Sequence, residues 1–201
     1  MPPAAESRES LNNHQDASAQ DYLPILSTDH VRGRSDAPLT LFEFGDYECP
    51  GCGAAYFDIL KLQTTFGDRL QFAFRHYPYA KIHPHAELAA QAAEAAGAQG
   101  KFWEMHELLF SDQSRLKLHD LLGRAEDLAL DLKRFKAELN DEVYLEQIRA
   151  DFRSGVQNGV YSTPGIFING IRVNGEADFE SLRRALDLAL EEGSGQLSGK
   201  P

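Results

Sequence analysis

The sequence predicts an α/β fold: a βαβ unit, a ββα unit, and an all-helical insertion between them. Three observations carry this reading. An apolar run, Leu39-Thr40-Leu41-Phe42-Glu43-Phe44, leads into a helix that begins at Cys49-Pro50-Gly51-Cys52. From Pro84 to about Gly159, apolar residues recur with helical spacing. From Val160 onward the pattern is strand, Asn-Gly turn, strand and helix. The expected partition is 28–80 and 158–191 for the α/β domain and 81–157 for the insertion. Residues 1–27 read as a disordered polar tail, with little to bury, and 192–201 as a flexible tail starting near Gly193-Ser194-Gly195.

Length and composition bound the function. The 201 residues suit one domain with a large insertion, and 42% hydrophobic residues suffice for a core. A formal charge of -11 argues against nucleic acid and anionic membrane surfaces as partners. No apolar run approaches a membrane span, so no membrane insertion is expected. Two cysteines cannot build a disulfide framework; as Cys-x-x-Cys in a reducing compartment they read as redox-active or metal-binding. No basic stretch followed by an apolar one opens the chain, so a cytoplasmic location is expected, and a periplasmic or exported one if a leader was removed.

The elements follow in order. A short edge strand is expected around Asp29–Arg32, then a turn at Ser35-Asp36-Ala37-Pro38. Leu39 to Phe44 reads as a central strand. Glu43 interrupts it, and burying a charged carboxylate is costly. It either points to solvent at a strand end or lies buried under the cysteines as a proton acceptor for Cys52. Cys49 sits at a helix N-terminus, where free N–H groups and the helix dipole favour a thiolate. Pro50 suits the first helical position because it has no N–H to lose. Tyr56, Ile59, Leu60 and Phe66 form that helix's apolar stripe, and Gly67-Asp68 ends it.

Leu70, Phe72 and Phe74 alternate with Gln71, Ala73 and Arg75, the period of a strand. Strand, helix and strand make a right-handed βαβ unit with parallel strands. Its cysteine turn lies at the carboxyl end of the first strand, a usual place for sites in such sheets. Arg75 to His85 reads as loop, punctuated by Pro78 and Pro84. Its histidines, His76, His83 and His85, lack zinc-ligand spacing, so no metal site is expected.

Five helices are expected next: Ala86 to Ala98, Phe102 to Phe110, Leu118 to Leu128, one capped by Asp131, and one carrying Tyr144, Ile148 and Phe152. His106 and His119 read as surface or packing residues. A last helix starts near Asp178, with Phe179, Leu182, Leu186 and Leu190 on one face.

These residues carry a resemblance. Cys49-Pro50-Gly51-Cys52 after a strand, with Thr163-Pro164 before strand-turn-strand-helix, resembles the thioredoxin fold. A helical insertion of this size resembles the DsbA-like thiol–disulfide oxidoreductases. Phe42-Glu43-Phe44-Gly45-Asp46-Tyr47-Glu48-Cys49, Lys101-Phe102-Trp103-Glu104-Met105-His106 and Gly159-Val160-Tyr161-Ser162-Thr163-Pro164 resemble that family in order and spacing. The likeness runs from about Asp29 to Leu190.

The resemblance implies a thioredoxin fold with an all-helical insertion between its βαβ and ββα halves. It implies that Cys49 is the exposed nucleophile and Cys52 the buried resolving thiol. Pro164 would be a cis-proline facing the pair; without the resemblance it is an ordinary turn proline. Thr163 would offer its backbone to a peptide added as a β-strand, with Pro50, Gly51 and Tyr47 lining the substrate surface. Glu43 matches the family's buried acid.

Two departures point to a less oxidising couple. No histidine separates the cysteines, and Asp46 and Glu48 beside Cys49 oppose a thiolate. Gly165 is expected to loosen the wall behind the proline. The implied reaction is thiol–disulfide exchange with protein thiols, with a redox protein or glutathione as partner and no cofactor beyond the Cys49–Cys52 disulfide. Two alternatives stand beside it: a non-catalytic module binding a peptide or partner, and a kappa-like glutathione-dependent transferase or isomerase.

Overall fold

A computed structural model describes residues 23–197. Leu39–Gly45 forms β2, the centre of one five-stranded sheet in the order β1-β3-β2-β4-β5. β3 (Leu70–His76) runs parallel to it, joined through α1 (Pro50–Phe66) and a 3₁₀ turn at Gly67–Arg69. β1 (His30–Arg32) pairs antiparallel with β3. β4 (Gly165–Ile168) pairs antiparallel with β2, and β5 (Ile171–Arg172) with β4. Asn169 and Gly170 turn that hairpin with φ of 48° and 78°, the left-handed backbone of a tight two-residue turn. Asn169 also accepts the Thr40 N–H at 2.8 Å, tying the turn to β2.

Between β3 and β4 lie α2 (Ala86–Gly97), α3 (Phe102–Ser111), α4 (Leu118–Asp127), α5 (Leu132–Asn140) and α6 (Leu145–Gln157). Ala89, Ala92, Ala93, Ala95 and Ala96 are buried and let α3, α4 and α5 pack closely on α2. Asp131 caps α5 by accepting the Arg134 N–H at 3.0 Å. α7 (Phe179–Leu197) packs on α1, β2 and β4. The main core joins α1, α7 and the insertion to the sheet face that carries Leu39, Leu41, Phe72 and Phe74.

The structure extends one reading and corrects three. The alternation in β3 marks a strand, and the polar members of it are as buried as the apolar ones: all seven residues are buried. Leu23, Phe42, Phe44, Ala73, Tyr77, Val160 and Phe167 form a second core on the other face, so the sheet is covered on both sides. Arg75 is tolerated there because Asp29 grips its guanidinium through two bonds of 2.7 and 2.6 Å, and the group lies over Phe42 and Phe44. His76 is the last residue of β3, not part of a loop. Leu23 belongs to the second core and not to a disordered tail, while residues 1–22 lie outside the described residues. α7 continues to Leu197 past the expected stop at Gly193. A glycine costs a helix interior only about 1 kcal/mol, too little to end one already propagated on a packed face. Residues 198–201 lie outside the described residues.

Candidate active site

Cys49 is the N-cap of α1, with extended backbone at φ -77°, ψ 121°, and Pro50 follows at the first helical position. Its thiol lies where the first-turn N–H groups point. Cys52, one turn on, is fully buried. Both thiols are free. The Thr163–Pro164 peptide is cis and faces them. The Thr163 carbonyl is 3.4 Å from the Cys49 thiol. Gly51 makes the close approach possible: a Cβ there would stand 3.3 Å from Pro164 Cδ and 3.6 Å from Cys49 Sγ. Pro50 and Gly51 are exposed at the rim, and Thr163 and Pro164 are half-buried.

The two thiols are driven apart electrostatically. The Cys49 thiol is lowered to about 5, first by a hydrogen bond from Cys52, then against burial by Thr163 and by the N–H groups of Cys52 and Gly51. Cys52 is pushed well above its usual value by burial, by its bond to Cys49, and by the charges of Glu43 and Cys49. The Asp46 N–H, 3.4 Å from Cys52 Sγ, offsets this slightly.

Glu43 takes the buried alternative. It is 1% exposed, on the same sheet face as Leu39 and Leu41. Its Oε1 has no hydrogen-bond partner, and burial raises its carboxyl to about 8 although the Cys52 side chain pulls it back. A void of about 10 Å³, roughly the room for one water, lies between Glu43, His106, Gln63 and Arg32.

Four sequence-based expectations need correction here. Tyr47 does not face substrate: it is 1% exposed, packed against Phe74 and Phe110, with its hydroxyl 3.0 Å from His106 Nδ1. Cys49 is not openly exposed; 8% of its surface is accessible, under the proline loop. Gly165 loosens nothing. It is locked in β4, where a Cβ would come within 2.7 Å of Val160. Asp46 and Glu48 do not oppose the thiolate, because both turn away to histidines. Asp46 accepts from Tyr79 N–H at 2.8 Å and pairs with His83 at 2.8 Å. Glu48 accepts the His85 N–H at 2.6 Å and pairs with its Nδ1 at 2.9 Å.

Gln113, in the segment between α3 and α4, was missed. Its amide donates to the carbonyls of Tyr47 at 3.0 Å and Cys49 at 2.8 Å, pinning the cysteine turn to the insertion. A lone glutamine in a connecting segment carries no sequence signal for that contact.

The family profile described as Thioredoxin matches residues 26–188. The chain belongs to the thioredoxin family. Among solved structures, this thioredoxin-family chain is similar to BdbD from Bacillus subtilis. They share 28% identity and a TM-score of 0.71, over 80% of this chain and 92% of that one. It is also similar in fold to the thiol-disulfide exchange protein alpha-DsbA2 from Wolbachia pipientis, at 23% identity and TM-score 0.70, over 81% and 87% of the two chains. The thioredoxin fold with its helical insertion therefore stands, and the likeness in fold extends to alpha-DsbA2.

Curated relatives carry a different name. The chain is 42% identical over 191 residues to Na(+)/H(+) antiporter NhaA 1 of Salinispora arenicola, covering 94% of this chain but 29% of that protein. It is 39% identical over 159 residues to the NhaA of Herminiimonas arsenicoxydans, covering 79% of this chain and 25% of that one. The chain thus spans less than a third of the curated relatives it matches. Among the described residues, no helix is long and apolar enough to cross a membrane.

Proposed function

We propose that the chain is a protein thiol–disulfide oxidoreductase that cycles the Cys49–Cys52 pair. One observation carries this reading: a thiol lowered to about 5 stands one helical turn from a thiol raised well above its usual value. That split assigns attack to Cys49 and resolution to Cys52.

In the reducing direction the Cys49 thiolate attacks a substrate disulfide. One substrate sulfur leaves as thiolate and the other joins Cys49 in a mixed disulfide. Cys52 then gives its proton to ionised Glu43 and attacks the Cys49 sulfur. The second substrate thiolate leaves, and the Cys49–Cys52 disulfide forms. Glu43 suits the proton because its value, about 8, lies nearer a thiol's than an ordinary carboxyl's does. In the reverse direction a substrate thiolate attacks the Cys49 sulfur and Cys52 leaves, taking the Glu43 proton. A second substrate thiolate then attacks the substrate sulfur of the mixed disulfide and Cys49 leaves, readily because its thiolate is stabilised. That thiolate also stabilises the reduced pair, which makes the disulfide the stronger oxidant. This reading therefore favours donation of disulfides to protein thiols, against the less oxidising couple expected from the sequence. A donor works where disulfides persist, which favours an exported location over the cytoplasm.

The antiporter name belongs to whole proteins far longer than the match, and we read the match as their thioredoxin-family part. The test is the equilibrium potential of the pair against glutathione, followed by Trp103 fluorescence or thiol alkylation. A value near about −120 mV supports a disulfide donor, and one near about −270 mV makes the chain a reductase. The lack of any reversible disulfide would overturn the reading in favour of a non-catalytic binding module.

A further inference from the structure

Away from the cysteines, three side chains from three elements converge. His30 lies in β1 opposite Phe74 of β3, and His76 lies two residues beyond Phe74, so both imidazoles occupy the face covered by the insertion. Glu94 reaches them from α2. Its Oε1 is 2.7 Å from His30 Nε2 and 2.8 Å from His76 Nε2. The three ligand atoms lie within 4.8 Å of one another. The side chains are 23%, 1% and 14% exposed for His30, His76 and Glu94, so the cluster is enclosed yet reachable from solvent on the His30 side.

We propose that His30, His76 and Glu94 form a binding site for a divalent transition metal, zinc by its donor set. Two imidazole nitrogens and one carboxylate, with a position left open, form a familiar zinc donor set. Two nitrogens directed at a single carboxylate oxygen must each carry a proton there. One cation between them replaces both protons and offsets a carboxylate in a chain of net charge -11. Atoms around a tetrahedral zinc at about 2.0 Å sit roughly 3.3 Å apart. The two nitrogen–oxygen distances need to lengthen by about half an ångström, and the two nitrogens, which lie within 4.8 Å of each other, to settle at the same spacing.

The surroundings support ligation. His30 is stacked flat on Phe102, which fixes the ring's plane. Gly97 leaves room for that stack: a Cβ there would stand 3.3 Å from Phe102 and 3.7 Å from His30. Nδ1 of His76 is buried with no partner. With a metal on Nε2, that nitrogen carries the remaining N–H, and a ligating histidine usually donates it to an acceptor. The ligands are spread over three distant stretches of chain, so no spacing in the sequence marks them.

The test titrates the full chain with zinc chloride while Cys49 and Cys52 are held as a disulfide, since free thiolates would bind zinc themselves. Calorimetry and native mass spectrometry should show one zinc per chain. His30→Gln and Glu94→Gln should each weaken binding by more than roughly 100-fold, the upper range for loss of a mere outer-shell partner. Cobalt(II) in the unaltered oxidised protein should give the visible bands of a tetrahedral site without a thiolate charge-transfer band. Should Glu94→Gln not fold, His30→Gln and the cobalt spectrum decide. The proposal is overturned if the oxidised protein binds no zinc, or if both folded variants bind as tightly as the unaltered chain. The cluster would then be an ion-pair network only.

Discussion

Two buried glutamates on the side of the sheet that the insertion covers, Glu43 in β2 and Glu94 in α2, behave in opposite ways. Under the cysteine turn, Glu43 lies with an orphaned oxygen, and its carboxyl rises to about 8. At the corner where β1, β3 and α2 meet, Glu94 is also largely buried, yet its carboxyl falls to about 2 because His30 and His76 both bond to it. Burial raises both. Only the second has partners that favour the charged form strongly enough to reverse it. A buried acid without partners is held ready to take a proton; one between two imidazoles is held as an anion, ready for a cation. The first is a reactive arrangement and the second a binding one.

The sharpest way to break this contrast is at the thiols. Cys49→Ser should abolish disulfide exchange, by about 1,000-fold or more on the scale of lost nucleophiles. Cys52→Ser should accumulate mixed disulfides with substrate, seen on non-reducing gels. Full exchange activity in Cys49→Ser would remove the cysteine turn from the chemistry.

The next largest effects concern stability against pH, measured by denaturant melts with chelator present. Glu43 is raised from 4.5 in the unfolded chain to about 8. Its contribution is fully present below about pH 4.5 and is lost as pH rises through about 8, up to about 5 kcal/mol in all. Glu94 is lowered from 4.5 to about 2. Its contribution is present above about pH 4.5 and is lost as pH falls through about 2, up to about 3 kcal/mol. Glu43→Gln should therefore flatten the alkaline limb, and Glu94→Gln the acid limb. If both substitutions flatten the same limb, the contrast fails.

A third measurement sharpens the reactive side. Thiolate absorbance at 240 nm should titrate near pH 5 in the reduced protein and at higher pH in Cys52→Ala, because the Cys52 hydrogen bond is the largest cause of the lowering. An unmoved midpoint would assign the effect to the helix N-terminus instead. The smallest effect is expected at Gln113→Ala. Losing its bonds to the Tyr47 and Cys49 carbonyls should cost about 1 kcal/mol and slow exchange a few-fold without shifting the thiol midpoint.

Much of this molecule is legible in the chain. The apolar pattern alone places β2, α1 and β3 in order, and α2 to α6 after them, because the runs and spacings of the residues each element buries are local. Cys49 and Cys52 are legible because their partnership spans one helical turn, and Asn169-Gly170 because a tight hairpin needs left-handed backbone. Thr163-Pro164 could be brought to the pair only through the family resemblance; no local pattern joins it to Cys49.

Only the tertiary structure decided what each polar group would meet. Tyr47 reads as a rim residue beside the cysteines, yet α3 closes over it and hands its hydroxyl to His106. Asp46 and Glu48 read as charges opposing the thiolate, until the loop after β3 returns His83 and His85 to hydrogen-bond with them. Gln71 and Arg75 alternate with the apolar residues of β3, and a second core covers their face of the sheet. His30, His76 and Glu94 have no relation in sequence and meet only where an edge strand, a central strand and a helix cross. The chain by itself determines which residues want to leave water and at what period, since those are properties of neighbours along the backbone. Which charge is paired, which is stranded and which thiol ionises depends on distances between elements, and those exist only once the elements have packed.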